Sequence, residues 1–173
     1  MQKMMDVMEA IYTRRSIRKF KNRKIDRETI REILKAAMYA PSARDCRPWH
    51  FIVVDDRSVL KAFMEVHPYS SMLKEASHGI LVCGDLKLQN GPGYWVVDCG
   101  AAAQNLLLAA HGMGLGAVWL GIHPRQERQQ AVHHLFRLPD HVQPFCMVAL
   151  GYPDEKKEMP DRFMPERIHH NSW

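Results

Sequence analysis

The chain has 173 residues, 46% of them hydrophobic and 25% charged, and a formal net charge of +5. That length lets one core bury roughly two-thirds of the unfolded surface, and the composition is that of a globular protein rather than a disordered one. No run approaches the roughly eighteen apolar residues of a membrane-crossing helix, and the N-terminus lacks the apolar stretch and small-residue cleavage site of a secretory leader, so a cytoplasmic protein without a membrane partner is expected.

In chain order, Met5, Met8, Ile11 and Tyr12 fall at near-helical spacing, and "RRSIRKFKNRK" (14–24) follows with seven basic residues in eleven. Arg14, Arg15, Ser16 and Arg18 crowd into five positions. Guanidinium forks suit the paired oxygens of a phosphate, a serine hydroxyl adds a neutral donor, and cations this close repel one another unless they share an anion. A phosphomonoester would relieve that repulsion, while a solvated basic turn explains the run equally well. A nucleic-acid patch is the third reading, but the only interleaved aromatics are Tyr12 and Phe20 and no nucleic-acid module surrounds them, so no nucleic-acid partner is expected.

Asp26 stands at an N-cap position, and Ile30, Ile33, Leu34, Ala37 and Met38 repeat on one side of a helix that Pro41 ends. The loop "APSARDCRP" (40–48) then leads into a buried strand at 50–54, and it carries more charge and proline than a plain connector needs. A second strand is expected at 79–83, after two helical pieces broken near Pro68. The segment 98–113 is apolar on most of its circumference and reads as a central helix, followed by a strand within "AVWLG" (117–121), a polar helix at 124–136 and a last strand at 145–150. Strands and helices interleave without regular βαβ spacing, which predicts an α+β protein with a small mixed central sheet flanked by helices. One unit is expected over 1–173, with a charged, aperiodic tail from about residue 152 that must lie on something or be disordered.

Cys46, Cys83, Cys99 and Cys146 have neither disulfide nor zinc-site spacing and read as buried thiols, so no metal is expected. Ser42 and Ser58 lack a nucleophile-elbow context, and the His133–His134 pair falls on a polar helix. No catalytic side chain stands out, so a cofactor is expected to supply the reactive atom.

The chain resembles the nitroreductase family of FMN-dependent oxidoreductases in four places. "RRSIRKF" resembles the family's arginine–serine–basic motif, and "APSARDCRPWHFIVV" its proline–serine loop. "DCGAAAQNLLLAAHGMGLGAVWLG" is similar to its central helix and following strand, and "LGYPDEKKEMPDR" to its closing glycine–tyrosine–proline and later arginine. The resemblance implies an interlocked homodimer with two FMN molecules at the subunit interface. Arg14, Arg15, Ser16 and Arg18 would hold one flavin, with Arg162 returning from the tail to its phosphate. Pro41, Ser42, Ala43 and Asp45 would approach from the other chain. Leu120 and Gly121 would offer backbone N–H groups to the flavin N5 edge. It further implies electron flow from NADH or NADPH through flavin N5 to a nitroaromatic, quinone or similar small-molecule acceptor, the alternative being an FMN-binding store or sensor with little turnover. Where the family commonly has asparagine and glutamine, this chain has Asp45 and Arg47, which either compensate each other as an ion pair or mark a subgroup with another task.

Overall fold

The computed structural model describes residues 5–173; the first four positions of the expected unit lie outside the described residues. Helix α1 spans Val7–Thr13, its first turn closed by the Asp6 carboxylate, which accepts from the Met8 and Glu9 N–H groups. Only Ala10 of this helix is buried, and Val7, Met8, Ile11 and Tyr12 are exposed. Helix α2, Arg27–Met38, begins as its sequence predicts, with Asp26 accepting from the Thr29 N–H at 2.8 Å. Ile30, Ile33 and Ala37 are buried, whereas Met38, expected on the same face, lies 49% exposed.

Strand β1 covers Trp49–Val54, and helix α3, Arg57–Val66, is followed by a 3-10 turn at Ser71–Lys74 on the far side of Pro68. Strand β2 is His78–Asp85. Helix α4 runs from Tyr94 to Gly112, four residues earlier than its apolar run suggests, because Gly93 at φ 90° turns the chain into a further N-terminal turn. Strand β3, Gly116–Gly121, helix α5, Gln126–Phe136, and strand β4, Val142–Gly151, complete the framework. The early start of β4 was hidden by Pro144, a residue unsuited to a central strand; it sits opposite Cys83 at a register irregularity, where a missing N–H is tolerated.

The strand order is β1-β2-β4-β3, and every hydrogen-bonded pair is antiparallel. This corrects the expected mixed sheet. The strands joined by α4, β2 and β3, do run parallel to each other, but β4 lies between them, so no two parallel strands are direct neighbours. Among the described residues the one parallel pairing is the isolated bridge Ser16–Ala117 on the outer edge of β3.

All eight residues of β2 are buried because helices cover both faces of the sheet. Ile80, Val82, Cys146 and Val148 pack with α2 and α4, while their neighbours Leu81, Cys83, Met147 and Ala149 pack with α3, α5, Ile17 and Phe20. Ile17 and Phe20 seat the basic segment on the sheet: a Cβ at Gly116 would lie 2.8 Å from Ile17, and one at Gly151 2.8 Å from Phe20. The tail beyond Tyr152 is mostly exposed, with a single 3-10 turn at Pro165–Arg167.

Candidate functional site

The segment between α1 and α2 has no regular structure of its own and is held from two sides. The Ile17 N–H donates to the Ala117 carbonyl at 3.0 Å on the edge of β3. On the tail side, Lys21 N–H donates to the Tyr152 carbonyl and Asp154 N–H to that of Lys19, both at 2.9 Å. Burial lowers the Arg14 pKa, and the nearby Arg15 and Arg162 guanidiniums lower it further. The structure thus brings Arg162, from the far end of the sequence, close to the adjacent pair Arg14 and Arg15. Among the described residues none of them, nor Arg18, has a carboxylate within ion-pair distance. Arg15 directs its donors to the carbonyls of Tyr12, Arg14 and Glu158, while Arg18 is exposed. This cluster lies at the C-terminal end of α4. The Thr13 hydroxyl donates to the Glu9 carbonyl at 2.6 Å, leaving its oxygen to accept from His111 Nε2 at 2.7 Å. Burial, then Arg14 and Arg15, push the His111 pKa down, which keeps the ring neutral.

The proline–serine loop is at the other end of the same helix. Asp98 is 4% exposed, and its Oδ1 accepts from the Ala43 N–H at 3.0 Å. The Ser42 hydroxyl accepts from the Arg47 N–H at 2.9 Å, and Arg47 closes an ion pair with Asp45 at 2.7 Å, the first of the two arrangements open to these positions. Arg44, Asp45 and Arg47 all take left-handed backbone, at φ 51°, 56° and 47°. From Asp98 to His111 is thirteen residues of helix, roughly 20 Å at the α-helical rise. One protomer therefore does not bring Pro41, Ser42, Ala43 and Asp45 together with the arginine cluster.

Strand β3 links the cluster to Gly121. Ala117 turns its carbonyl outward to Ile17, so two-residue alternation turns the backbone groups of Trp119 and Gly121 outward and those of Leu120 toward Met147 on β4. The two residues named together from sequence separate here, and only Gly121 presents an outward N–H. It lies four residues beyond the Ser16 bridge, roughly 13 Å along the strand, and a Cβ on it would meet nothing within 4 Å. Its carbonyl accepts from His67 Nε2 at 2.9 Å and from Arg128 at 3.0 Å. Burial lowers the His67 pKa.

Sequence reasoning missed Asp98, His111, His67, Arg128 and Glu155. Only Asp98 carried a signal, as a lone carboxylate inside an apolar run. Cys83, Cys99 and Cys146 are buried free thiols, with Cys83 pushed up to about 12, but Cys46 in the loop is half-buried. Among the described residues no group of three or more His, Cys, Asp and Glu could hold a metal ion, and no helix is long and apolar enough to cross a membrane.

The model of the nitroreductase family matches residues 11–80 and 65–152, together spanning the arginine segment, the loop, α4 and the whole sheet. The chain belongs to the nitroreductase family. A Methanothermobacter thermautotrophicus protein, provisionally named NADH dehydrogenase/NAD(P)H nitroreductase, is 53% identical over 98% of this chain and 88% of its own length. A solved structure from Parabacteroides distasonis with the same provisional name is 44% identical, with a TM-score of 0.92 over 96% of this chain and 98% of that one. A nitroreductase, also provisionally named, from Desulfovibrio desulfuricans and solved in complex with FMN is 29% identical, with a TM-score of 0.85 over 98% of both chains.

Proposed function

We propose that this nitroreductase-family protein is an FMN-dependent oxidoreductase that passes reducing equivalents from NAD(P)H to a small-molecule acceptor such as a nitroaromatic or quinone. The observation that carries this reading is the set of arginines gathered without a carboxylate at the start of the free edge of β3, in line with an outward N–H at Gly121. Three mutually repelling guanidiniums suit a dianionic phosphate, and an edge strand with open space at Gly121 suits the rim of a planar ring. The FMN complex of the Desulfovibrio desulfuricans relative and the NAD(P)H in the name of the Methanothermobacter relative support the same assignment.

In this reading Arg14, Arg15, Ser16, Arg18 and Arg162 hold the phosphate and ribityl chain, and Gly121 N–H meets the ring at its N5 edge. Pro41, Ser42, Ala43 and Asp45 cover the flavin bound by the other subunit of an interlocked homodimer, because α4 keeps that loop roughly 20 Å from its own arginines. The tail from about residue 152 reaches onto the partner. When bound, FMN would supply the electron relay between donor and acceptor; the protein supplies position and positive charge, and no side-chain acid or base is required.

Anaerobic mixing of the flavin-loaded protein with NADH and with NADPH tests this proposal. Bleaching of the flavin absorbance by at least one donor, and its recovery on adding a nitroaromatic or quinone, is the expected result. Flavin retained but bleached by neither donor would point instead to storage or sensing, and FAD in place of FMN would refute the phosphate assignment.

A further inference from the structure

We propose that Glu155 is a positioning residue of the phosphate cradle, which fixes the backbone of Arg18 and Lys19 without pairing its carboxylate with any of the cradle's guanidiniums. The inference rests on the reading of the arginine segment as an FMN phosphate site. Glu155 Oε1 accepts from the Arg18 N–H at 2.5 Å and from the Lys19 N–H at 3.2 Å, while Oε2 faces Lys157 Nζ at 3.7 Å. Both carboxylate oxygens are thus engaged by groups other than guanidiniums. That matters because the segment carries seven basic residues in eleven and has no ladder of its own, so its conformation must be imposed from outside.

The residues around Glu155 impose it. Phe20 bridges Pro153, the Lys21–Tyr152 and Lys19–Asp154 backbone bonds bracket the same stretch, and Arg15 Nε donates to the Glu158 carbonyl at 3.1 Å. A carboxylate merely standing in for a phosphate would need a tail able to withdraw, whereas this one is part of a continuous seam. The Arg18 N–H lowers the Glu155 pKa, with Lys157 and Lys19 acting in the same direction, so the group is ionised at neutral pH.

A phosphate-specific role is separable from a general structural one by comparing FMN with riboflavin, which lacks the phosphate. Dissociation constants for both would be measured by flavin fluorescence on reconstituted wild type, Glu155→Ala and Glu155→Gln, with circular dichroism to confirm folding. Loss of a charge-assisted bond predicts that Glu155→Ala weakens FMN about ten-fold and riboflavin by less than about two-fold. Glu155→Gln, which keeps an acceptor oxygen, should fall between Glu155→Ala and wild type for FMN, and it carries the comparison if the alanine variant does not fold. Equal losses for the two flavins would overturn the proposal as mere loosening of the tail. An unchanged FMN constant would also overturn it, as would tighter FMN binding in the alanine variant, the mark of a carboxylate that competes with phosphate. If wild type binds neither flavin, or binds both equally, the FMN phosphate reading itself fails.

Discussion

Asp45 and Arg47 share a short stretch of left-handed backbone, and their side chains close a 2.7 Å ion pair in which both remain mostly exposed. An exposed pair of this kind contributes little to stability, but it keeps two opposite charges together beside the proposed neighbouring flavin. Removing either partner uncovers the other. At about 10 Å and an effective dielectric near 20, one unit charge shifts the energy of a charged ring by roughly 1.7 kcal/mol, equivalent to about 35 mV for a two-electron couple. Arg47→Gln should therefore lower the flavin potential by up to that amount, and Asp45→Asn should raise it by a comparable amount, since it leaves Arg47 unpaired. The double variant should return close to wild type. Redox titration against reference dyes would check this, and four equal potentials would show that the pair does not face the flavin.

At the scale of elements, the basic segment depends on two glycines beneath it. A Cβ at Gly151 would come within 2.8 Å of the Phe20 ring, in a buried contact where no flexible chain end can give way. Gly151→Ala should destabilise the fold by about 1–3 kcal/mol through overpacking and weaken FMN binding as Phe20 lifts the arginines from the sheet. Gly112→Ala, at the end of α4 with nothing within 4 Å, should be neutral or slightly stabilising. Urea unfolding of both variants, with flavin affinity measured alongside, separates the two outcomes. The same elements show what the sequence could convey. Helix α2 was legible because its cap and its apolar spacing agree locally, as was the continuous apolar run of β2. The placement of β4 between β2 and β3 was not legible, because strand adjacency is set by pairing across the chain and leaves no mark on any one segment. The arginine segment was readable as a charge cluster from spacing alone. Asp98, which holds the proline–serine loop, and His111 and Glu155, which support the arginine segment, act through one or two hydrogen bonds to residues between 55 and 137 positions away, which no local pattern records.

The whole molecule should be sensitive to acid. His67, His78 and His111 are each held below the ordinary histidine pKa, chiefly by burial. Below about pH 6.5 the unfolded chain therefore binds more protons than the folded one. Stability should be fully present above that pH and should fall as the pH drops toward the lowered folded values, which chemical denaturation between pH 8 and 5 would measure; a flat profile would contradict it. The tail raises a different question. Met159, Phe163, Met164, Ile168 and Trp173 are all exposed, as are Val7, Met8, Ile11 and Tyr12 of α1, so one protomer leaves two apolar surfaces without a partner, more than scattered single exposed residues would require. If the tail lies on a second copy, a chain ending at Glu158 should keep its seam with the arginine segment and its core, since every described residue from 159 onward is exposed in the single chain. It should nevertheless lose the association. Obligate dimers commonly bury more than roughly 2,000 Å² in total, so a substantial part of that area leaves with fifteen residues. Sedimentation at micromolar concentration should show wild type as a dimer and the shortened chain shifted toward monomer. Arg162→Ala in the full-length chain should remain dimeric while holding FMN more weakly, which separates the loss of a phosphate ligand from the loss of an interface. A shortened chain as dimeric as wild type would place the tail on its own subunit.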